Sequence, residues 1–185
     1  MGIVLASTTI SIDGFIAGPH HEMDWVFDHQ FLPEGPIDVI EELIATTGAA
    51  LSGRGTYEVG VSATRTETSG LFGGRWSGPE FVATHRPPAE PPRPNLSFVS
   101  GDIAGIVATA KAAAGDKNLL VLGGGITQQC LEADLIDDIL LFELPIVLGD
   151  GIALFGRPGY REMLFQTVRV EQLGAAVALR FRRRR

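Results

Sequence analysis

The stretch Leu119-Leu-Val-Leu-Gly-Gly-Gly-Ile-Thr-Gln128 decides the fold class of this chain of 185 residues. Its first four residues form an apolar run that is typical of central strands in parallel sheets. Three glycines follow, and a helix begins directly after them. Glycine lets a ligand approach the backbone, and the helix N-terminus offers unpaired N–H groups and partial positive charge. The pattern matches neither a Rossmann fingerprint nor a Walker loop, and it fits a diphosphate site and a tight strand-to-helix turn equally well.

Two further predicted strands end in groups that suit an anion. Gly53, Arg54 and Thr56 follow one strand, and Thr84-His85-Arg86 follows the next. A surface arginine in a turn is the simpler explanation for Arg54 taken alone. Ligands of open α/β sheets, however, bind outside the carboxyl ends of the strands. The coincidence of three such strand ends favours a site for the phosphates of a nucleotide.

Periodicity and turn residues predict strands that alternate with helices along the chain. We expect strands over residues 3–11, 49–52, 80–84, 96–100, 119–122 and 139–144, and a C-terminal hairpin from residues 164–172 and 175–182. We expect helices that begin at Pro36, with Ile37, Ile40 and Ile44 on one face, and over residues 103–114 and 127–133. Residues 18–36 are predicted to form a long loop, and residues 53–79 a mixed region. The order predicts one domain over residues 1–185, a three-layer α/β/α fold whose mixed, mainly parallel sheet ends in an antiparallel hairpin.

Composition restricts the class of protein. Hydrophobic residues make up 45% of the chain, and its formal net charge of −7 disfavours a nucleic-acid surface. The single cysteine, Cys130, excludes an internal disulfide and a cysteine-rich zinc site. We find neither a signal segment nor an apolar run that could span a bilayer, and therefore expect a cytoplasmic protein without membrane contact. The arginine-rich end, residues 180–185, favours a solvated strand end over a contact with a polyanion.

The chain resembles the dihydrofolate-reductase superfamily, and more closely the reductase domain of bacterial riboflavin biosynthesis and its stand-alone relatives. The segments that carry the resemblance occur in the same order along nearly the whole chain. They are Ser11-Ile-Asp-Gly-Phe-Ile-Ala-Gly18, Gly53-Arg-Gly-Thr-Tyr-Glu58, Phe81-Val-Ala-Thr84, Leu122-Gly-Gly-Gly125, Leu135-Ile-Asp-Asp138 and Pro145-Ile-Val-Leu-Gly-Asp-Gly-Ile-Ala-Leu-Phe155.

The resemblance implies a dihydrofolate-reductase-like fold that binds NADPH in an extended pose, and it implies a homodimer. The nicotinamide would lie against the backbone at Ala6, Ile16, Ala17 and Gly18. The diphosphate would lie on the backbone of Leu122, Gly123, Gly124, Gly125, Ile126 and Thr127. The adenosine ribose and its 2′-phosphate would be surrounded by Gly53, Arg54, Thr56, Thr84, His85 and Arg86.

The chain also departs from its relatives. The zinc-deaminase signature of the bifunctional riboflavin enzymes is absent. Asp38 lies near the place of the acidic residue that binds the pterin in folate reductases, so it is the candidate proton donor; a solvent-facing structural carboxylate is the alternative. Trp25 and Phe27 are predicted to close over the substrate. His20 and His21 have too few companions for a metal site.

Three functions remain open from the sequence. The favoured one is an NADPH-dependent reductase of a pterin, an aminopyrimidine-ribosyl compound or a similar heterocycle. The second is a dinucleotide-binding protein without turnover, such as a redox-cofactor sensor. The third is an interaction protein that uses its arginine-rich C-terminus.

Overall fold

A computed structural model describes residues 2–27, 30–62, 70–87, 93–156 and 162–184. The strands within these ranges are β1 (Val4–Ser11), β2 (Phe15–Ala17), β3 (Thr47–Gly53), β4 (Glu80–Ala83), β5 (Leu96–Val99), β6 (Asn118–Leu122), β7 (Asp138–Leu144), β8 (Ile152–Ala153), β9 (Phe165–Leu173) and β10 (Ala176–Arg183). The helices are α1 (Asp24–Phe27), α2 (Asp38–Thr46), α3 (Arg54–Ser62), α4 (Ile103–Ala114) and α5 (Gly124–Glu132).

Eight of these strands form one sheet, in the order β5-β4-β3-β6-β1-β7-β10-β9. The six strands from β5 to β7 run parallel, and β10 pairs antiparallel with both β7 and β9. The predicted fold class, a mixed and mainly parallel sheet with a C-terminal antiparallel hairpin, is confirmed. Since the parallel strands share one direction, their carboxyl ends meet at one edge of the sheet.

Both faces of the sheet are covered, because side chains alternate along each strand. Leu119 and Val121 of β6 pack on one side against α4 and α5, in a core that includes Cys130. Leu120 points to the other side and packs against α1 and α2, in a core that includes Trp25 and Leu43. Burial raises the pKa of the Cys130 thiol to about 12, so this cysteine is a core residue that stays protonated at neutral pH.

A small two-stranded sheet, β2 paired with β8, is connected to the carboxyl end of β1 through Asp13. The carboxylate of Asp13 accepts hydrogen bonds from the Ser11 hydroxyl at 2.6 Å and from the Leu148 and Gly149 N–H groups at 3.2 and 2.7 Å. The bond from Ser11, followed by those from the backbone, lowers the pKa of Asp13. Asp13 therefore ties the segment before β8 to the turn before β2.

Residues 180–183 of the arginine-rich end are the last part of β10, and their arginines form ion pairs with other parts of the chain. Asp138 is 1% exposed and accepts hydrogen bonds from Arg180 Nε at 2.9 Å and Arg182 Nε at 3.1 Å. The hydrogen bond that Arg182 donates to Asp138 raises the pKa of Arg182, and Arg183 forms an ion pair with Asp134. Arg180, Arg182 and Arg183 thus have carboxylate partners in their own chain.

The structure corrects three expectations about local structure and adds one feature that the sequence did not predict. Helix α3 lies where a mixed region was predicted, because contacts at the edge of the sheet override the low helix propensity of its glycines and β-branched residues. Helix α5 begins at Gly124, inside the glycine run, rather than at Thr127. The buried residues of α2 are Val39 and Leu43 rather than Ile40 and Ile44. The pairing of β2 with β8 was not predicted. No helix in the described ranges has the length and apolar character needed to cross a bilayer.

Candidate functional site

Two helices begin side by side at the carboxyl edge of the sheet. We call residues 53–57, where β3 leads into α3, and residues 123–126, where β6 leads into α5, the glycine edge. A Cβ placed on Gly53 would lie 3.1 Å from Ile126 Cγ1, and one placed on Gly123 would overlap the Thr56 side chain. The first turns of α3 and α5 therefore touch, and their positive ends point to the same place.

Different physical constraints explain why glycine stands at each of the three positions of the run. Gly123 has a φ of 86°, which L side chains rarely adopt, and its Cα faces Thr56. A Cβ on Gly124 would lie 2.9 Å from Ile16 Cδ1. At Gly125, in contrast, φ is not positive, the residue is exposed, and a Cβ would meet no atom within 4 Å. The tight turn accounts for Gly123 and Gly124, whereas packing within the protein does not account for Gly125.

The first turn of α5 offers backbone N–H donors that no capping side chain occupies. Its N-cap, Gly123, makes no side-chain hydrogen bond to the turn. The Thr127 N–H donates to the Gly123 carbonyl at 3.1 Å, and Thr127 is only 2% exposed. Ile126 is buried in the core, so only its backbone can face a ligand. The donors left for an anion are the N–H groups of residues 124–126, which have no acceptor within the helix. The Thr127 N–H, which the resemblance places at the diphosphate, is already bonded within the helix.

A cleft of about 260 Å³ lies further along the same edge of the sheet, at the ends of β4 and β5. We call it the cation cleft; its lining residues are Arg54, Tyr57, Glu58, Thr84, Arg86, Pro87 and Phe98. The rings of Tyr57 and Phe98 pack edge to face, with their centroids 5.3 Å apart. The cleft therefore combines two guanidinium groups with an aromatic wall, which suits a base that carries a phosphate.

The two arginines of the cation cleft are held differently. Arg54 Nε donates to Glu58 Oε1 at 2.5 Å, and Arg54 Nη1 donates to the Arg86 carbonyl at 3.0 Å. Both side chains of the Arg54–Glu58 pair are about half exposed. The Arg86 N–H donates to the Thr84 hydroxyl at 3.1 Å, which fixes the turn that carries the Arg86 side chain. His85 is exposed between them and does not line the cleft.

The segment predicted to flank the nicotinamide lies beside the glycine edge. Ile16, Ala17 and Gly18 are buried, and Ile16 contacts Gly124. Ala6 lies inside the sheet, where it pairs with Val121 of β6 and with β7, and its side chain belongs to the core. Because Ala6 pairs with Val121, it lies two residues before the level of Gly123, which follows β6. Only the backbone of Ala6 can therefore belong to a site. The side chain of Leu122 packs against the core on the side of α2.

The two aromatic residues predicted to bind substrate have different environments. Trp25 is 8% exposed and packs in the core with Leu43, so its ring is not free to close over a substrate. Phe27 is 60% exposed. Of the two rings, the ring of Phe27 is the exposed one.

Asp38 is the first residue of α2 and is exposed between two buried neighbours, Ile37 and Val39. Because α2 leads directly into the start of β3, its N-terminus lies toward the carboxyl edge of the sheet. The position agrees with a group that faces a substrate and equally with a carboxylate that stabilises a helix N-terminus. Among the described residues, no group of His, Cys, Asp and Glu is arranged to hold a metal ion.

Sequence reasoning did not find Tyr57, Glu58, Pro87 and Phe98 in the cleft, nor the contact of His21 with Gly55 that is described below. The first two lie on α3, whose helical spacing places Arg54 and Glu58 one turn apart. The spacing of four residues between Arg54 and Glu58 could have predicted that their side chains meet, but only after this segment had been recognised as a helix.

Residues 59–179 match the RibD C-terminal domain family. An uncharacterized protein of Bacillus subtilis, YwjB, is 25% identical over 93% of this chain and 92% of its own length. The crystal structure of a putative riboflavin biosynthesis protein from Shewanella is similar over 99% of both chains, with a TM-score of 0.82 and 25% identity.

Larger enzymes share the fold. The deaminase/5-amino-6-(5-phosphoribosylamino)uracil reductase of Thermotoga maritima is similar over 99% of this chain, with a TM-score of 0.68 and 18% identity. RibD of Acinetobacter baumannii is similar over 100% of this chain, with a TM-score of 0.69 and 15% identity. The chain covers 57% and 58% of these two proteins, and their likeness shows the dihydrofolate-reductase-like fold.

Proposed function

Because the chain belongs to the RibD C-terminal domain family, we propose that it is an NADPH-dependent reductase of a small heterocyclic substrate such as a pterin or an aminopyrimidine-ribosyl compound. The observation that carries this proposal is the open backbone at Gly125, where two helix N-termini converge and a Cβ would meet no protein atom. Such a place is suited to a diphosphate, because N–H groups and both helix dipoles favour negative charge there.

The cation cleft supports the choice of a phosphorylated dinucleotide. Arg86 and Arg54 would hold the 2′-phosphate, and the hydroxyl of Thr84 lies in the same cleft. Guanidinium groups bind phosphate with two parallel hydrogen bonds, so they favour NADPH over NADH. The base would lie against Tyr57 and Phe98.

NADPH would supply the hydride when it is bound. The chain would align the substrate with the nicotinamide, enclose both and deliver a proton to the substrate. Ile16, Ala17 and Gly18 are buried beside the glycine edge and would exclude water from the nicotinamide. Phe27, on α1, would cover the substrate. Asp38 is the candidate group to deliver a proton to the substrate, directly or through water.

The test has two arms that separate this proposal from a dinucleotide-binding protein without turnover. Isothermal titration with NADPH measures binding, and loss of the reduced-nicotinamide absorbance with dihydrofolate, aminopyrimidine-ribosyl compounds and flavins measures turnover. We expect binding of NADPH and oxidation with at least one acceptor. Binding without oxidation by any acceptor would favour the sensor, and absence of binding would refute both functions.

We also propose that the chain forms a homodimer. Val168 and Val170 are 39% and 66% exposed on β9, the edge strand next to β10. Apolar side chains on an edge strand favour association with another chain. Light scattering should give the mass of a dimer, and Val170→Asp should shift it to that of a monomer; an unchanged mass in the variant would place the interface elsewhere.

A further inference from the structure

His21 stands over the first turn of α3, at the glycine edge. A Cβ placed on Gly55 would lie 3.4 Å from His21 Cε1 and 3.8 Å from His21 Nδ1. The next residue of the helix, Thr56, contacts Gly123. The imidazole is therefore one helix residue away from the contact that joins the two helix N-termini.

The loop that carries His21 is held in a defined shape. The Gly18 N–H donates to the Glu22 carbonyl at 2.9 Å, and the His21 N–H donates back to the Gly18 carbonyl at 3.1 Å. The Glu22 carboxylate accepts a hydrogen bond from the His20 N–H at 2.8 Å, and bonds from its own backbone N–H and that of His20 lower the pKa of Glu22. His21 itself has a φ of 69°, a left-handed conformation that is uncommon for a residue with a side chain.

The side chain of His21 is exposed, and the Glu22 carboxylate interacts with it electrostatically. The imidazole of His21 lies beside the positive end of α3, at the turn that carries Arg54, and Arg54 forms an ion pair with Glu58. Glu22 is the acidic neighbour on the loop itself, and its carboxylate is directed to the His20 N–H. An anion between His21 and the glycine edge would accept from the imidazole and from both helix N-termini at once.

We propose that His21 is a latch: its imidazole donates to the diphosphate held at the glycine edge and thereby couples the loop of residues 18–22 to the occupied cofactor site. The inference rests on the proposed function, and it adds a residue outside the strand-end segments to the binding site. It also gives the left-handed backbone of His21 a role, since strained conformations cluster at ligand clamps.

The test compares His21→Asn with His20→Asn, because asparagine tolerates the left-handed conformation and its short side chain does not reach the ligand. His20 lies in the same loop and is exposed, so it is the matched control. Titration of NADPH and of inorganic pyrophosphate into each protein measures affinity. We expect His21→Asn to weaken both ligands about tenfold, as for a lost hydrogen bond to a charged group, and His20→Asn to leave both unchanged.

A second readout follows the latch directly. Amide hydrogen exchange of residues 18–22 should slow when NADPH binds the wild-type protein and should not slow in His21→Asn. Wild-type affinity in a folded His21→Asn protein would overturn the latch and leave the reductase intact. Failure of the wild-type protein to bind NADPH would instead refute the proposed function, so the two failures are distinct.

Discussion

The glycine edge and the segment Gly18–Gly35, which we call the lid, are both expected to face the reactants, but they are built in different ways. In the glycine edge the functional groups are backbone N–H groups, and their positions follow from where strands end and helices begin. In the lid the functional groups are side chains, and their roles depend on which of them are buried. Trp25 lies in the core and Phe27 on the surface, although they are two residues apart. A strand-end motif can therefore be recognised from sequence alone, whereas a lid cannot be assigned without the packing.

The assignment of Trp25 to the core would be wrong if its side chain belonged to a mobile lid in solution. We expect Trp25→Ala to lower the free energy of unfolding by about 3 to 5 kcal/mol, because it leaves a large cavity in the core beside α2. Urea denaturation of the variant measures this loss.

Phe27→Ala is the matched control. Phe27 is 60% exposed, so its replacement should lower the free energy of unfolding by less than that of Trp25 and should raise KM for the substrate. A Trp25→Ala protein as stable as the Phe27→Ala protein would show that Trp25 is not a core residue.

At the glycine edge, Gly125→Asp should weaken NADPH binding by about 100-fold, equivalent to about 2.7 kcal/mol, because it places a carboxylate where the diphosphate is expected. Stability should not fall, since a Cβ at this position meets no protein atom within 4 Å. Calorimetric titration and thermal unfolding measure the two effects.

Gly123→Ala sharpens the distinction between the glycines. It should lower stability by about 1 to 3 kcal/mol, because an alanine there adopts a φ of 86° and meets Thr56. If Gly125→Asp destabilised the protein as much as Gly123→Ala, both glycines would serve only the turn.

The sequence predicted the eight strands of the main sheet along the chain, helix α4 with its bounds and the fold class, because apolar runs and glycines mark them locally. It did not predict α3, since Gly55, Thr56 and Gly60 have low helix propensity and the helix depends on contacts with the strands β3 and β4. The residues of the cation cleft on α3, Tyr57 and Glu58, were missed for the same reason. The choice between Ile44 and Leu43 as core residues of α2 depends on how the helix lies on the sheet, which its apolar pattern does not fix.

The cation cleft allows a prediction that separates two adjacent residues. Arg86→Gln should weaken NADPH about tenfold and leave NADH unchanged, because Arg86 lines the cleft and its guanidinium is suited to the 2′-phosphate. His85→Gln should leave both affinities unchanged, because His85 does not line the cleft. Equal losses for NADPH and NADH in Arg86→Gln would show that Arg86 does not read the 2′-phosphate.

The smallest expected effect concerns Asp13, which ties the segment before β8 to the turn before β2. The lowered pKa of Asp13 means that its stabilisation is fully present above the ordinary carboxyl pKa of 3.8 and is lost as the pH falls through the lower pKa of the folded state. Asp13→Asn should therefore be less stable than the wild-type protein at neutral pH, and the difference should narrow below about pH 4. Urea denaturation across this range would contradict the account if the difference were independent of pH.

The most direct test of the central claim is to follow the backbone amide resonances of Gly124, Gly125 and Ile126 by NMR while NADPH is added. We predict that these three amides shift strongly and together, because their N–H groups become hydrogen-bonded to the diphosphate. Saturation of the protein with NADPH without any shift at these amides would show that the dinucleotide binds elsewhere, and the glycine edge would then be only a turn.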